Sequence, residues 1–552
     1  MRRGSVLSGL TSLFLFAASA ARAQVPAKPE FEVTPGKPAP IAQALKSGYA
    51  AALLPAQEPP VFHSGTRLVE VEVVVRGKPV RPSGAKSFLT SLLGDGPPFG
   101  SPGPQVQGLT KDDFTLLDNE KPVPVAFFRE AGAATPDVGK RDADKPGPLP
   151  PEVVSNRVDS FGQPSNNATV ILMDQLNTIP DLLAYERQGV AKMLRTLSAA
   201  DTHVALYTMG RNLHVLQDFT SDPQRLLDLA AKLDQPHGSP ELAEAFKDYG
   251  GLLAWEGTAS GQYIPDPLGI PARTEMTTNA LKVVIQHLAR VPGRKNLVWL
   301  MDTASAQIPP VVAGLLLRTN IVLYPVMVRG VGCWDCPPEE LAQQGGVQGI
   351  AAATGGKAFF DAMDLSFAVH TAEEDSRSSY VLGFYPSEEM LDGRYHRLTV
   401  KVHNTAYHLN YRPGYIATKA APPAPVLSDQ ALLDAPLDSA GIGLTAQLQP
   451  DPDRPGERKL QLVVDLHDVH LEADGARLKG AFDVLVANRA SGALGSSRIA
   501  VDIPMEALAE ALETGYSVIF SGIDAGPGEL RAVVRDPSAN AAGSLRIPVP
   551  KE

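Results

Sequence analysis

From residue 168 to residue 385, apolar runs of strand length alternate with longer stretches of helical periodicity, and this alternation constrains the fold more than any other feature. The run 168–174 (ATVILMD) is apolar throughout and ends in a carboxylate, as a parallel strand buried on both faces reads. The next stretch, 180–198, sets Leu182, Leu183, Val190, Met193, Leu194 and Leu197 on one helical face. Further strands are expected at 204–209, 213–219, 296–302, 321–328, 357–360 and 380–385. Helices are expected between them at 222–233, 277–290, 311–318, 339–354 and 365–375. Such an order specifies an α/β fold: a doubly wound, mostly parallel sheet covered on both faces. Ligands in these sheets sit at the C-terminal ends of the strands, where the strand order reverses. Asp174 and Asp302 both close expected strands, which places two carboxylates on one rim.

The flanks read as β structure. Residues 68–75 (LVEVEVVV) alternate and are strongly β-branched, and 109–118 and 123–128 read as short strands with turns. They define an N-terminal β module over 62–130, separated by a Pro-rich linker at 131–165 from an α/β domain over 166–416 that closes with β segments at 395–403 and 407–411. A Pro/Ala linker over 417–440 leads to 441–552, where segments at 459–467, 478–487, 516–522, 529–535 and 544–549 alternate as in a β-sandwich.

The N-terminus carries an export signature. Arg2 and Arg3 precede an apolar run over 7–18, and Ala21-Arg22-Ala23 offers a cleavage site before Gln24, so residues 1–23 read as a signal peptide. Residues 24–61 read as a disordered leader. The apolar run is too short for a bilayer span, and no later segment reaches that length. The mature chain is therefore expected to be exported, periplasmic or extracellular, with no membrane span. A hydrophobic fraction of 44% and a charged fraction of 20% over 552 residues fit several folded domains. The formal net charge of −11 becomes more negative once Arg2, Arg3 and Arg22 leave, which argues against a nucleic-acid or anionic-membrane partner.

Enzyme signatures are missing: the chain has no HExxH, GxSxG or P-loop, and no GxGxxG after the first strand of the α/β region. No enzymatic activity is expected. His287, on a helix with apolar neighbours, reads as packed or solvated. The acids at 112–113 and 373–375 read as solvated charge. The only two cysteines, Cys333 and Cys336, supply half a zinc site at most. In an exported chain they read as a disulfide closing a small loop. The alternative is a thiol–disulfide redox pair, with Pro337 and Pro338 opening a helix whose N-terminus stabilises a thiolate.

Taken in order, the runs LTKDDFTLLDNEKPVPVAFF, QDFTSD, ARVPGRKNLVWL, LYPV, AAATGGKAF and SYVLGFYP resemble the von Willebrand factor A-related proteins exported by some bacteria, over residues 65–415. The resemblance implies a metal-ion-dependent adhesion site that holds Mg²⁺ or Mn²⁺ and leaves one position open to an acidic side chain of a protein partner. Asp174 matches the first aspartate of its Asp-x-Ser-x-Ser pattern, Thr178 the second hydroxyl, and Asp302 the later aspartate. Leu176 stands at the first serine and cannot ligate, while Asn177 offers an amide oxygen from a position that predicts another direction. Thr274 and Thr277 both match the threonine of the later loop. Asp174 also reads as a helix cap or turn former and Thr178 as a simple N-cap. The function implied is adhesion or protein–protein interaction at the rim, through a divalent cation or through shape and apolar contact alone. Two alternatives stay open: a structural component of an envelope assembly, and a redox protein using Cys333 and Cys336.

Overall fold

The computed structural model describes residues 32–35, 68–78, 103–130, 152–156, 167–178, 180–197, 203–235, 242–247, 268–288, 294–301, 310–319, 321–327, 338–360, 365–417, 427–488, 492–523 and 528–549, with a few single positions between them. The expected signal peptide, most of the leader, Asp302, Cys333 and Cys336 lie outside the described residues.

The α/β region forms in chain order β1 (Asn167–Asp174), α1 (Pro180–Leu197), β2 (Val204–Met209), β3 (Leu213–Thr220), α2 (Pro223–Leu233), α3 (Ala243–Lys247), α4 (Gly269–Leu288), β4 (Arg294–Met301), α5 (Pro310–Thr319), β5 (Ile321–Met327), α6 (Pro338–Ala353) and α7 (Leu365–Arg377). The sheet order is β5-β4-β1-β2-β3. β5, β4, β1 and β2 run parallel, and β3 is antiparallel to β2. The expected strand at 357–360 contributes one parallel bridge, Phe359 to Val326. Chain order reverses between β1 and β4, so the crevice of this sheet opens at their C-terminal ends.

The apolar residues of the central strands alternate between two layers, which is why ATVILM of β1, LVWLM of β4 and all of β5 read as apolar runs. Val170, Leu172, Leu297 and Trp299 meet Leu281, Val284 and Leu288 of α4 and Leu315 and Leu316 of α5 on one face. On the other, Ile171, Met173, Val298 and Leu300 meet Val190, Leu194 and Leu197 of α1, Leu226 and Leu229 of α2 and Val369 of α7. α2 begins where Asp222 accepts Gln224 N at 2.9 Å, with Pro223 at the first helical position.

The strand expected last in this sheet lies elsewhere. Ser379–Phe384 pairs antiparallel with Val69–Arg76 and with Phe127–Glu130, and His408–Tyr411 completes that sheet. Tyr395–Val402 pairs with Phe114–Asp118 and Gly414–Ile416 in a second sheet. Val71, Val73, Phe114, Leu116, Tyr380, Leu382, Leu398 and Tyr415 share one core between the two. The N-terminal β module and the tail of the expected 166–416 domain are thus one sandwich, with the α/β unit inserted between its strands.

Charged side chains join the sandwich to the base of the sheet. Arg294, which opens β4, lies 3.2 Å from Glu72 and donates to Tyr324 Oη at 2.8 Å. Tyr324 donates to Asp375 at 2.9 Å, and Asp375 pairs with Arg76 at 2.6 Å. Glu373 accepts from Thr169 Oγ1. Glu373 and Asp375 are therefore buried and partnered, against the expectation of solvated charge. Their helix ends under the sheet, where a cation and hydroxyls face it. The rim carrying Asp174 is the opposite end of the sheet.

The C-terminal module is a sandwich too. Leu444–Pro450, Arg458–Val464 and Tyr516–Ile523 form one sheet, and Glu472–Asp474, Arg477–Asn488, Gly492–Pro504, Glu529–Asp536 and Ala541–Pro548 the other. Two earlier segments extend the first sheet. Val153–Ser155, inside the expected linker, pairs with Leu444–Pro450, and Glu32–Pro35, inside the expected disordered leader, pairs with Tyr516–Ile523. Backbone pairing to an otherwise open sheet edge orders both segments. Asn156 fixes the first, donating to Ser439 O at 2.8 Å and accepting from Leu444 N at 2.7 Å.

Candidate functional site

Asp174 is the last residue of β1 and shares a face with Leu172, so its carboxylate points to the α4 side of the sheet. Trp299 lies on that face of β4, in register with Leu172. The offset brings the indole Nε1 to 3.2 Å from Asp174 Oδ2, to which it donates. The chain then turns at 175–178. Asn177 donates its backbone N–H to Asp174 Oδ1 at 3.0 Å, and its side-chain Nδ2 donates to Oδ1 and Oδ2 at 3.1 and 3.0 Å. The same Nδ2 donates to Thr277 Oγ1, on α4, at 3.2 Å. Arg273, one turn earlier on α4, donates to Leu176 O and pins the turn.

Asp174 is only 1% exposed, so it belongs to the packed interior rather than to the surface. Burial pushes its carboxyl up to about 6, against the pull of the N–H donors from Asn177, Trp299 and Leu176. Thr277 is buried beside it, while Thr274 is exposed. Of the two threonines matched to the later loop, Thr277 is the one linked to Asp174, through the Asn177 amide that both accept from. Thr178 is fully buried, and its hydroxyl has no hydrogen-bond partner among the described residues, so the N-cap reading is not realised there. Leu176 is also fully buried. The sequence offers Asn177 only for its amide oxygen and Trp299 only as a strand residue, and Arg273 lies before the helix expected at 277–290, which in the structure begins at Gly269. A Trp two residues before the end of β4 is the available signal.

A magnesium ion demands six hard oxygens at about 2.0–2.1 Å in near-octahedral geometry. Here three oxygens, Asp174 Oδ1, Asp174 Oδ2 and Thr277 Oγ1, already converge on the Asn177 NH₂ group at 3.0–3.2 Å. An ion among them would meet amide protons. In this arrangement the residues do not fit the cation, and among the described residues no group of three or more His, Cys, Asp or Glu is placed to hold one.

A second polar cluster joins the α/β unit to the C-terminal module. His287, near the end of α4, is buried, with Nδ1 at 2.9 Å from Asp438 O and Nε2 at 3.3 Å from Asp218 Oδ1. Both neighbours are acceptors, an arrangement that favours a proton on each ring nitrogen. Burial alone would lower the imidazole, but Asp218 outweighs it and the net shift is upward. Phe219 stacks on the ring at 5.9 Å. His287 is packed between modules, where its surroundings favour the protonated ring.

No known family and no curated protein matches the chain. Similar solved structures include a point mutant of the PilB minor pilin from Streptococcus sanguinis, at 10% identity and TM-score 0.23, with 39% of this chain and 62% of that chain covered. A von Willebrand factor type A protein from Catenulispora acidiphila gives 12% identity and TM-score 0.21, covering 61% of this chain and 66% of that chain. The pilus adhesin SpaC from Lactobacillus rhamnosus GG gives 7% identity and TM-score 0.24, covering 69% of this chain and 54% of that chain. The chain thus spans less than two thirds of the length of each of these three. Among the described residues no helix is long and apolar enough to cross a membrane.

Proposed function

We propose that this chain is an exported adhesion or protein–protein interaction protein, a von Willebrand factor A-like unit that engages a protein partner through the C-terminal rim of its sheet. The observation that carries the reading is the position of the Asp174–Asn177–Thr277 cluster. It sits where strand order reverses, built from β1, the turn after it and α4, at the end of the sheet opposite the sandwich. Rigid elements thereby hold the rim, while turns supply the contact surface. A photoreactive residue at the exposed position 274, introduced in the producing cell, tests this. The proposal expects one discrete protein adduct from position 274 and none from position 235, which is exposed at the other end of the sheet. That position follows Asp234, the partner of Arg195 in the last turn of α1.

A scaffold role in an envelope assembly is the second reading, and interlocking favours it. Glu32–Pro35 and Val153–Ser155 form the two edges of the first C-terminal sheet, and the N-terminal sandwich is completed by strands beyond residue 378. Adducts from the exposed Tyr385 and Tyr395 of that sandwich, in place of position 274, would favour it. A Cys333–Cys336 disulfide remains part of the proposal, and thiol titration under non-reducing conditions tests it.

A further inference from the structure

We propose that the side-chain amide of Asn177 is a built-in substitute for the divalent cation of an adhesion site, so that this rim takes no ion. The inference deepens the rim reading by excluding one class of contact, a partner carboxylate bound to a metal. Its test needs no partner, so it can fail while the partner reading stands.

The geometry is that of an ion site with nitrogen at its centre. Asn177 Nδ2 lies 3.1 and 3.0 Å from the two oxygens of Asp174 and 3.2 Å from Thr277 Oγ1. Two oxygens of an ionised carboxylate and a hydroxyl oxygen facing one point normally demand positive charge between them. The amide meets that demand with two N–H protons. Its orientation follows from the chemistry: an Asn177 oxygen turned toward Asp174 would place acceptor against acceptor.

The neighbours complete the substitution. Trp299 Nε1 supplies a further donor to Asp174 Oδ2, and Asn177 N another to Oδ1. Asn177 and Trp299 alone thus direct four N–H contacts at Asp174. Leu176 puts a buried apolar side chain where the pattern asks for a hydroxyl, and the Thr178 hydroxyl makes no hydrogen bond to the cluster. Arg273 holds the turn in this conformation through Leu176 O. The amide brings no net charge, whereas the cation brings two. The rim then has no metal to offer an acidic side chain, and its contacts with a partner are hydrogen bonds and apolar surface.

Manganese uptake by the purified full chain tests this, read by the loss of the free-ion paramagnetic resonance signal and by calorimetry. The wild type is expected to bind none at this site up to about 1 mM, on the order of the weakest useful oxygen sites. Asn177→Asp replaces the two protons with an oxygen and is expected to gain one manganese ion per chain, with a rise in Tm on adding MnCl₂. Uptake by the wild type that Asp174→Asn abolishes would overturn the proposal. A folded Asn177→Asp protein that still binds none would overturn it as well, because the amide would then not be what keeps the ion out. If Asn177→Asp does not fold, the wild type and Asp174→Asn decide alone.

Discussion

The amide of Asn177 donates to both carboxylate oxygens of Asp174, at 3.1 and 3.0 Å, across a turn of three residues. This contact makes the acid at the end of β1 a structural anchor as well as a rim residue. Asp174 also accepts from Trp299 on the neighbouring strand, so one side chain ties β1, β4 and the turn together.

Asp174→Ala is accordingly expected to destabilise the fold, contrary to what its place at a strand end suggests. The change orphans the Asn177 and Trp299 donors in a buried site, each costing about 1–3 kcal/mol, less what is regained by removing a buried charge. A net loss of about 2–4 kcal/mol is predicted from urea midpoints at pH 7. An unchanged midpoint would show that the anchor contributes nothing.

Two buried groups make stability pH-dependent in the same direction. Asp174 titrates at about 6 in the fold against 3.8 outside it, so the folded state holds its proton longer. Its burial therefore costs stability that appears as pH rises from about 3.8 to about 6. His287 is raised above 6.5 by Asp218 and Asp438. Its contribution is complete below the unfolded value and is lost as pH rises through the folded one. His287→Gln is predicted to cost about 2 kcal/mol at pH 5.5 and clearly less at pH 9. Parallel stability curves for the two proteins across that range would rule out the charged His287.

A fragment of residues 62–130 is predicted not to fold alone. Its strands supply Val71, Val73, Phe114 and Leu116, while Tyr380, Leu382, Leu398 and Tyr415, the other half of the core, lie beyond residue 378. A two-dimensional amide NMR spectrum of the fragment should be collapsed. Adding a peptide of residues 379–417 should disperse it if this core is the only missing part.

The central sheet is legible because its signal is local. β5 and the last five residues of β4 are buried and apolar throughout, so each appears as a run that separates from the helices around it, while the buried Arg294 and Lys295 that open β4 fall outside the strand the sequence suggests. The split sandwich is not legible. Ser379–Phe384 follows α7 at the spacing of one more strand of the same sheet, and nothing in its six residues shows that its partner is Val69–Arg76. Pairing across about 300 positions leaves no local trace, because alternation reports burial and not the identity of the neighbour. The site divides in the same way. Asp174 stands out as the acid ending an apolar run, and Thr277 is one of two threonines that the pattern admits. The direction of Asn177 is hidden, since which end of an amide turns inward depends on the oxygens that fold around it.

The most direct test of the account is the affinity of the protein captured at position 274 for three purified forms of this chain: the wild type, Thr274→Arg and Gln235→Arg. Both substituted positions are exposed, one at the rim and one at the opposite end of the sheet, so neither change alters the core. Calorimetry should show binding weakened by at least about tenfold in Thr274→Arg, a cost of about 1.4 kcal/mol. Gln235→Arg should bind like the wild type, and a chelator should change none of the three. Binding retained by Thr274→Arg and lost by Gln235→Arg would place the contact at the base of the sheet and contradict the account.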